Sequence, residues 1–362
     1  MTAAPASVSR PIRVLIVDDS PFMRHAIRRI LTAAGGFEVV GTAVDGLDGL
    51  RQALALRPDV ITMDVEMPRM DGVQAVRELM ASLPTPVVMV STLTRRGAEV
   101  TLEALEAGAV DYVTKPSADS QDLYSLAESL TAAVQRAAGA RLTRRNGRGT
   151  PIPAPASARG AALEPPSEGQ PARTLVVIGS STGGPPALTE VVSHLSPETP
   201  AGYIIVQHMP PHFTAALAHR LDSLTPLSVK EAEEGDIIAE RRVLVAPGDF
   251  HLRVSSDRTV RLEQSPPRHG VRPSVDVTLE SAPPVFGRNT VAVVLTGMGR
   301  DGAAGARLVE EAGGVVIVQD ERTSVIYGMP KAAKEAVTRP VEVPLQAVAQ
   351  AIDTAVRVGI RR

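Results

Sequence analysis

The sequence predicts two α/β domains in tandem, each a doubly wound, mostly parallel sheet with helices on its faces. Three observations carry that prediction. Short β-branched runs alternate with amphipathic stretches from Ile12 to about Ala138, and the alternation stops between Arg136 and Ala172, where arginine, proline, glycine and alanine dominate without apolar periodicity. It resumes after Arg173. Strands that alternate with helices pair in parallel, and 362 residues are enough for two such sheets, each with its own core.

In the first domain, residues 11–138, the candidate strands are Arg13–Val17, Glu38–Gly41, Val60–Met63, Val87–Val90 and Val110–Val113. Ser20 followed by Pro21 supplies an N-cap and a first-turn proline, so a helix is expected directly after the first strand. That fixes Asp18 and Asp19 in a strand-to-helix loop. Residues 139–172, with Arg144-Arg145-Asn146-Gly147-Arg148-Gly149 and Pro151-Ile152-Pro153-Ala154-Pro155, read as a flexible linker. Such a stretch buries too little apolar surface to offset the entropy of ordering it, and a nucleic-acid arm would want a longer charge run or aromatic platforms. In the second domain, residues 173–357, the candidate strands are Leu175–Ile178, Tyr203–Val206, Val243–Val245, Val291–Leu295 and Val315–Val318. Phe250 to Glu263, with the polar turn Ser255-Ser256-Asp257-Arg258, reads as an inserted hairpin.

Composition removes several classes of function. A formal charge of −2 with 22% charged residues gives no bulk electrostatic attraction to nucleic acid or an anionic membrane. A DNA-binding output is disfavoured further by the lack of a basic recognition-helix pattern and by only 2% aromatics. With no cysteine, thiolate nucleophiles, disulfides and cysteine-ligated zinc are excluded. Met1–Arg10 lacks the apolar core of a signal peptide, and no apolar run reaches membrane-spanning length. A cytoplasmic monomer without membrane insertion is expected.

Ligands of open parallel sheets bind outside the carboxyl ends of the strands. Asp18 and Asp19 follow the first strand, Asp64 the third, Ser91 the fourth and Lys115 the fifth. Clustered carboxylates repel one another unless a hard divalent cation binds them, and Mg²⁺ prefers carboxylates with water. A phosphorylatable aspartate beside such a cation is one natural use, with Lys115 and the Ser91 hydroxyl able to reach phosphoryl oxygens. Each aspartate alone could simply cap a helix; caps have no reason to recur with a lysine on the fifth strand. A Rossmann nucleotide site is weak, because Val17-Asp18-Asp19-Ser20-Pro21 has no glycine. The stretches Val17-Asp18-Asp19-Ser20, Thr62-Met63-Asp64-Val65-Glu66-Met67-Pro68, Asp71-Gly72 and Thr114-Lys115-Pro116 make residues 11–138 resemble a response-regulator receiver domain. The resemblance implies a flavodoxin-like (βα)5 fold and Asp64 as phosphoacceptor. It also implies Mg²⁺ held by Asp18, Asp19, Asp64 and the Glu66 carbonyl, Ser91 and Tyr112 as a switch pair, and a histidine kinase as phosphodonor.

Gly179-Ser180-Ser181-Thr182-Gly183 satisfies G-x-S-x-G between a strand and a helix whose start is marked by Pro185 and Pro186. Ser181 is the nucleophile candidate; Ser180 is the weaker choice because it is expected at the tighter part of the turn. A serine needs a base, and among seven histidines only His208 directly follows a candidate parallel strand. Asp301, after Leu295-Thr296-Gly297-Met298-Gly299-Arg300, is the candidate that would orient the imidazole. The order Ser, His, Asp differs from that of α/β-hydrolases. A phosphate cradle is the main rival, but Pro185-Pro186 stand where a Walker loop needs Lys-Ser/Thr. Zinc at His208 and His212 is weaker still, since no Glu follows His208 and prolines break the helical register.

Residues 173 to about 357 resemble the catalytic domain of protein-glutamate methylesterases, the CheB family. The matching motifs are Ile178-Gly179-Ser180-Ser181-Thr182-Gly183-Gly184, Gln207-His208-Met209-Pro210, Arg272-Pro273-Ser274-Val275-Asp276, Leu295 to Gly302, and Gln319-Asp320 with Tyr327-Gly328-Met329-Pro330. Around Arg268-His269-Gly270-Val271-Arg272 the spelling departs from a compact His-Arg-Pro-Ser. The resemblance implies Ser181, His208 and Asp301 as a triad with Met298 in the oxyanion region. It further implies hydrolysis of glutamate γ-methyl esters on methyl-accepting chemoreceptors with release of methanol, a glutamine deamidase activity, and no cofactor for hydrolysis. Phosphorylation of Asp64 is then expected to control access to Ser181. A non-catalytic response-regulator adaptor with an inactive hydrolase fold is the alternative reading.

Overall fold

The computed structural model describes residues 10–115, 122–142 and 171–360; residues 1–9, Pro116 and the 143–170 stretch that carries most of the expected linker lie outside them. The chain divides into two units, Met1–Arg144 and Arg145–Arg362.

The first unit alternates β1 (Ile12–Val17), α1 (Pro21–Ala34), β2 (Phe37–Ala43), α2 (Gly46–Leu56), β3 (Val60–Asp64), α3 (Gly72–Ser82), β4 (Val87–Ser91), α4 (Arg95–Ala107), β5 (Asp111–Thr114) and α5 (Asp122–Ala138). All pairings are parallel in the order β2-β1-β3-β4-β5, the expected flavodoxin-like arrangement. Every residue of β3 and β4 is buried, which is why these strands read as continuous apolar runs rather than alternating ones. Ser20 caps α1 by accepting the Met23 N–H, and the helix buries Met23, Ile27 and Leu31 on one face. With strand order reversing at β1, the crevice at the carboxyl ends of β1 and β3 lies between Asp18 and Asp64.

The second unit runs β6 (Thr174–Ser180), α6 (Gly184–Ser193), β7 (Ala201–Gln207), α7 (Phe213–Asp222), β8 (Ser228–Glu231), β9 (Arg242–Val245), β10 (His251–Val254), β11 (Val260–Glu263), α8 (Val275–Ser281), α9 (Pro283–Phe286), β12 (Thr290–Val294), α10 (Ala303–Glu311), β13 (Val315–Gln319), α11 (Met329–Ala336), β14 (Val341–Val343) and α12 (Val348–Ile360). Seven strands in the order β14-β13-β12-β6-β7-β9-β8 pair in parallel throughout. The chain leaves β6 towards β7 on one side and returns to β12 on the other, so β6 is the topological switch strand. Leu175, Val177, Ile204, Val206, Leu244, Val294 and Val316 form the core beneath it, each worth roughly 1.5–3 kcal/mol relative to exposure. Pairing of β10 with β11 makes the expected hairpin, which packs on α8. Ala172 is buried and donates its N–H to Ile238 O at 2.7 Å. Among the described residues, no helix is long and apolar enough to cross a membrane.

Candidate functional site

Each unit gathers polar side chains at its sheet's carboxyl edge. In the first, Asp18 follows β1, Asp64 ends β3 and Lys115 follows β5, so three strands deliver one cluster. Lys115 Nζ lies 2.7 Å from Asp64 Oδ2 and 3.1 Å from Asp18 Oδ2. Burial pushes the Asp64 carboxyl up to about 6; Lys115 opposes the rise and the charge of Asp18 adds to it. Asp64 Oδ1 accepts the Val65 N–H at 2.7 Å and Asp18 Oδ1 the Ser20 N–H at 2.9 Å, which fixes both carboxylates. Asp18 Oδ2 is buried and faces the Lys115 ammonium. Carboxylate oxygens of Asp18, Asp19 and Asp64 lie within 4.8 Å of one another. Three hard carboxylate donors gathered this closely, with a single lysine to offset them, fit a small divalent cation. The Glu66 side chain is exposed and turned to Arg96 at 3.5 Å, so its carboxylate is not part of this set. Ser91 ends β4, buried, with its hydroxyl donated to Gly97 O at 3.2 Å; Tyr112 lies on β5.

In the second unit, Ser181, His208 and Asp301 come to adjacent strand ends. Ser180 is the last residue of β6, fully buried, and donates its hydroxyl to Gln207 Oε1 at 2.7 Å. It belongs to the strand and its hydroxyl is committed, whereas the expectation placed it at the tighter part of the turn. Ser181 is half-buried, and its N–H donates to Thr296 O at 3.0 Å. The left-handed residue of the elbow is Gly183, φ 76°, the N-cap of α6, so the backbone turn falls on a glycine rather than on the serine. Gly297 approaches from the β12 loop, and a Cβ there would lie 2.8 Å from the Ser181 Cβ. Its neighbour Met298 is 54% exposed beside the elbow.

His208 Nε2 meets Asp301 Oδ2 at 2.8 Å, both side chains nearly excluded from solvent. Asp301 also accepts the Ser274 hydroxyl at 2.8 Å and the N–H groups of Val275, Asp276 and Gly302 at 2.7, 3.0 and 3.1 Å. Burial alone would raise its pKa; the His208 bond and charge and these donors outweigh that and hold the carboxyl at about 2. An ionised carboxylate only accepts, so the His208 proton sits on Nε2 and Nδ1 is the basic nitrogen. No hydrogen bond joins the Ser181 hydroxyl to His208 among the described residues; such contacts tighten when substrate is bound.

Three framework residues escaped sequence reasoning. Gln207 Nε2 donates to Ser181 O at 3.0 Å and His208 O at 3.2 Å, tying the nucleophile loop to the base loop. Thr296 Oγ1 donates to Thr182 O at 3.0 Å and accepts the Ile326 N–H at 3.0 Å. Ser274 caps α8 and presents that helix's first amides to Asp301; its Pro-Ser-x-Asp spelling was the one available signal. Side chains of the divergent Arg268–Arg272 segment brace this helix and its approach: Arg268 pairs with Glu280 at 2.6 Å, His269 with Asp276 at 3.0 Å, and Arg272 reaches Asp249 and Ser265 O.

A family model described as CheB methylesterase matches residues 176–352, and one described as response regulator receiver domain matches residues 14–128. A protein-glutamate methylesterase/protein-glutamine glutaminase from Symbiobacterium thermophilum is 48% identical, the match covering 97% of this chain and 99% of that one. Like-named proteins of Pyrococcus abyssi and Thermotoga maritima are 44% and 43% identical, over 96% and 90% of this chain and 94% and 93% of theirs.

Proposed function

The chain belongs to the CheB methylesterase family, with a receiver domain on its N-terminal side, and on that premise we propose that Ser181, His208 and Asp301 perform its hydrolysis under the control of Asp64. It is a protein-glutamate methylesterase/protein-glutamine glutaminase: glutamate γ-methyl esters of chemoreceptors are hydrolysed with release of methanol, and glutamine side chains are deamidated. The observation that carries the residue assignment is the 2.8 Å His208–Asp301 contact one strand away from Ser181, with Asp301 held ionised by four further donors.

Asp301 keeps the imidazole proton on Nε2, so Nδ1 takes the Ser181 hydroxyl proton as Oγ attacks the ester carbonyl. Backbone N–H groups near the elbow and the Gly297–Met298 loop stabilise the tetrahedral oxyanion, and helix α6 directs its N-terminus towards the same point. His208 returns the proton to the departing methoxide. Water, deprotonated in turn by His208, clears the acyl-enzyme and regenerates Ser181. With a glutamine substrate the leaving group is ammonia and the steps are otherwise the same.

In the receiver, Asp64 is the phosphoacceptor and a histidine kinase the phosphodonor. Mg²⁺ held by Asp18, Asp19 and Asp64, with the Glu66 carbonyl, would offset charge on the incoming phosphoryl group. Lys115, already 2.7 Å from Asp64, pairs with a phosphoryl oxygen. Ser91 must give up its bond to the Gly97 carbonyl to reach another, which makes that exchange, with Tyr112 on β5, the receiver's switch. Ser181→Ala tests the assignment: methanol release from methylated receptor should vanish while Asp64 is still phosphorylated. Retained turnover would move the nucleophile elsewhere.

A further inference from the structure

His251 is a fully buried histidine to which the hydrolysis derived above gives no role. It opens β10, and its ring stands between two backbone groups. Nδ1 accepts the Ser274 N–H at 3.2 Å, and Nε2 faces the Pro266 carbonyl at 3.2 Å. An N–H only donates and a carbonyl only accepts, so the ring is neutral with its proton on Nε2. Burial acts in the same sense, pushing the imidazole below its ordinary value.

Ser274 is therefore gripped from both sides. Its N–H is taken by His251, and its hydroxyl is given to Asp301 Oδ1 at 2.8 Å. The next two N–H groups, Val275 and Asp276, close on the same carboxylate, whose Oδ2 holds His208 Nε2 at 2.8 Å. One chain of contacts thus runs from the hairpin through the first residue of the α8 cap to the orienting acid and the base. It also explains what the hairpin contributes: β10 packs on α8 and delivers His251 to it.

We propose that His251 is a positioning residue for the hydrolysis: by accepting the Ser274 N–H it fixes the Ser274 hydroxyl and the first amides of α8 around Asp301, and so sets the aim of His208. The proposal rests on the Ser181, His208, Asp301 reading. A merely structural histidine would fill space and satisfy Pro266; a positioning one acts through the Nδ1 acceptor.

Two polar substitutions separate these roles. In His251→Asn the side-chain oxygen occupies the place of Nδ1 and still accepts from Ser274, whereas in His251→Gln the amide reaches the Pro266 side and that acceptor is lost. kcat and KM for methanol release from methylated receptor are measured on the full chain, per folded molecule, with thermal unfolding recorded for each variant. His251→Asn should stay within about threefold of wild type in kcat. His251→Gln should lose on the order of tenfold to hundredfold in kcat at unchanged KM, the scale of a misaimed catalytic group. Equal activities of the two variants, the reverse ranking, or a loss confined to KM would overturn the proposal. Turnover by Ser181→Ala in the same assay would instead remove the triad reading beneath it, a result distinguishable from any ranking of the His251 variants.

Discussion

Replacing Asp301 by asparagine should cost about 10⁴ in kcat, and the reason lies in which oxygen holds which donor. Oδ2 accepts from Val275 N–H and His208 Nε2–H, and Oδ1 from Ser274, Asp276 and Gly302. Asparagine has one oxygen. Kept towards the three donors, it places an NH₂ group against His208, which must then accept at Nε2 and carry its proton on Nδ1. The base that would serve Ser181 is lost by a change of tautomer, and the Val275 N–H loses its acceptor as well. Turned the other way, the NH₂ group faces three buried donors, which is worse. In Ser-His-Asp triads the equivalent change costs about 10⁴-fold, or about 5 kcal/mol of transition-state stabilisation. Single-turnover methanol release from methylated receptor isolates this step from binding. A kcat within tenfold of wild type would refute the assignment of Asp301 as the group that fixes the tautomer.

Asp301 also makes stability depend on pH. Its carboxyl is held at about 2 against an ordinary 3.8, a folded-state depression worth about 2 kcal/mol, present in full above about pH 4 and lost as pH falls towards 2. Denaturant titrations of wild type and Asp301→Asn should therefore converge by about that amount between pH 7 and pH 2.5; a constant gap contradicts it. Chelation with EDTA should abolish activation by a phosphodonor but leave basal hydrolysis intact, because the proposed mechanism uses a cation at the Asp18, Asp19, Asp64 cluster and none at Ser181; EDTA-sensitive basal turnover would count against that division. Gly297→Ala should lose about 1–3 kcal/mol of stability and more activity than that alone explains, because its Cβ meets both Met329 and the Ser181 Cβ. Thermal unfolding beside kcat measures the two effects, and wild-type kcat would dismiss the close approach.

Much of this arrangement could be read in the sequence because it is local. Asp18, Asp64, Ser181 and His208 each directly follow or end a strand, so finding the strands found those residues, and Asp301 lies in the loop between β12 and α10. Two strands were missed for a physical reason. Ser228-Val229-Lys230-Glu231 and Val341-Glu342-Val343 are short edge strands with partly exposed, charged faces, and they lack the buried run that marks the interior ones. The framework was missed because it depends on distant pairings: Ser180 to Gln207, Thr182 to Thr296, Ser274 to Asp301 and to His251. Nothing within a few residues of Gln207 or His251 signals its partner. For Ser180 the expectation rested on turn geometry, whereas the structure shows a buried strand residue whose hydroxyl is donated to Gln207 Oε1.

Control of Ser181 by Asp64 is tested by methanol release from methylated receptor by the full chain, with and without a small-molecule phosphodonor, in wild type, Asp64→Ala and Ser181→Ala. The phosphodonor should raise the wild-type rate and leave Asp64→Ala at the basal rate, and Ser181→Ala should release no methanol under either condition. An equal rise in Asp64→Ala, or no rise in wild type, would contradict control of Ser181 by Asp64.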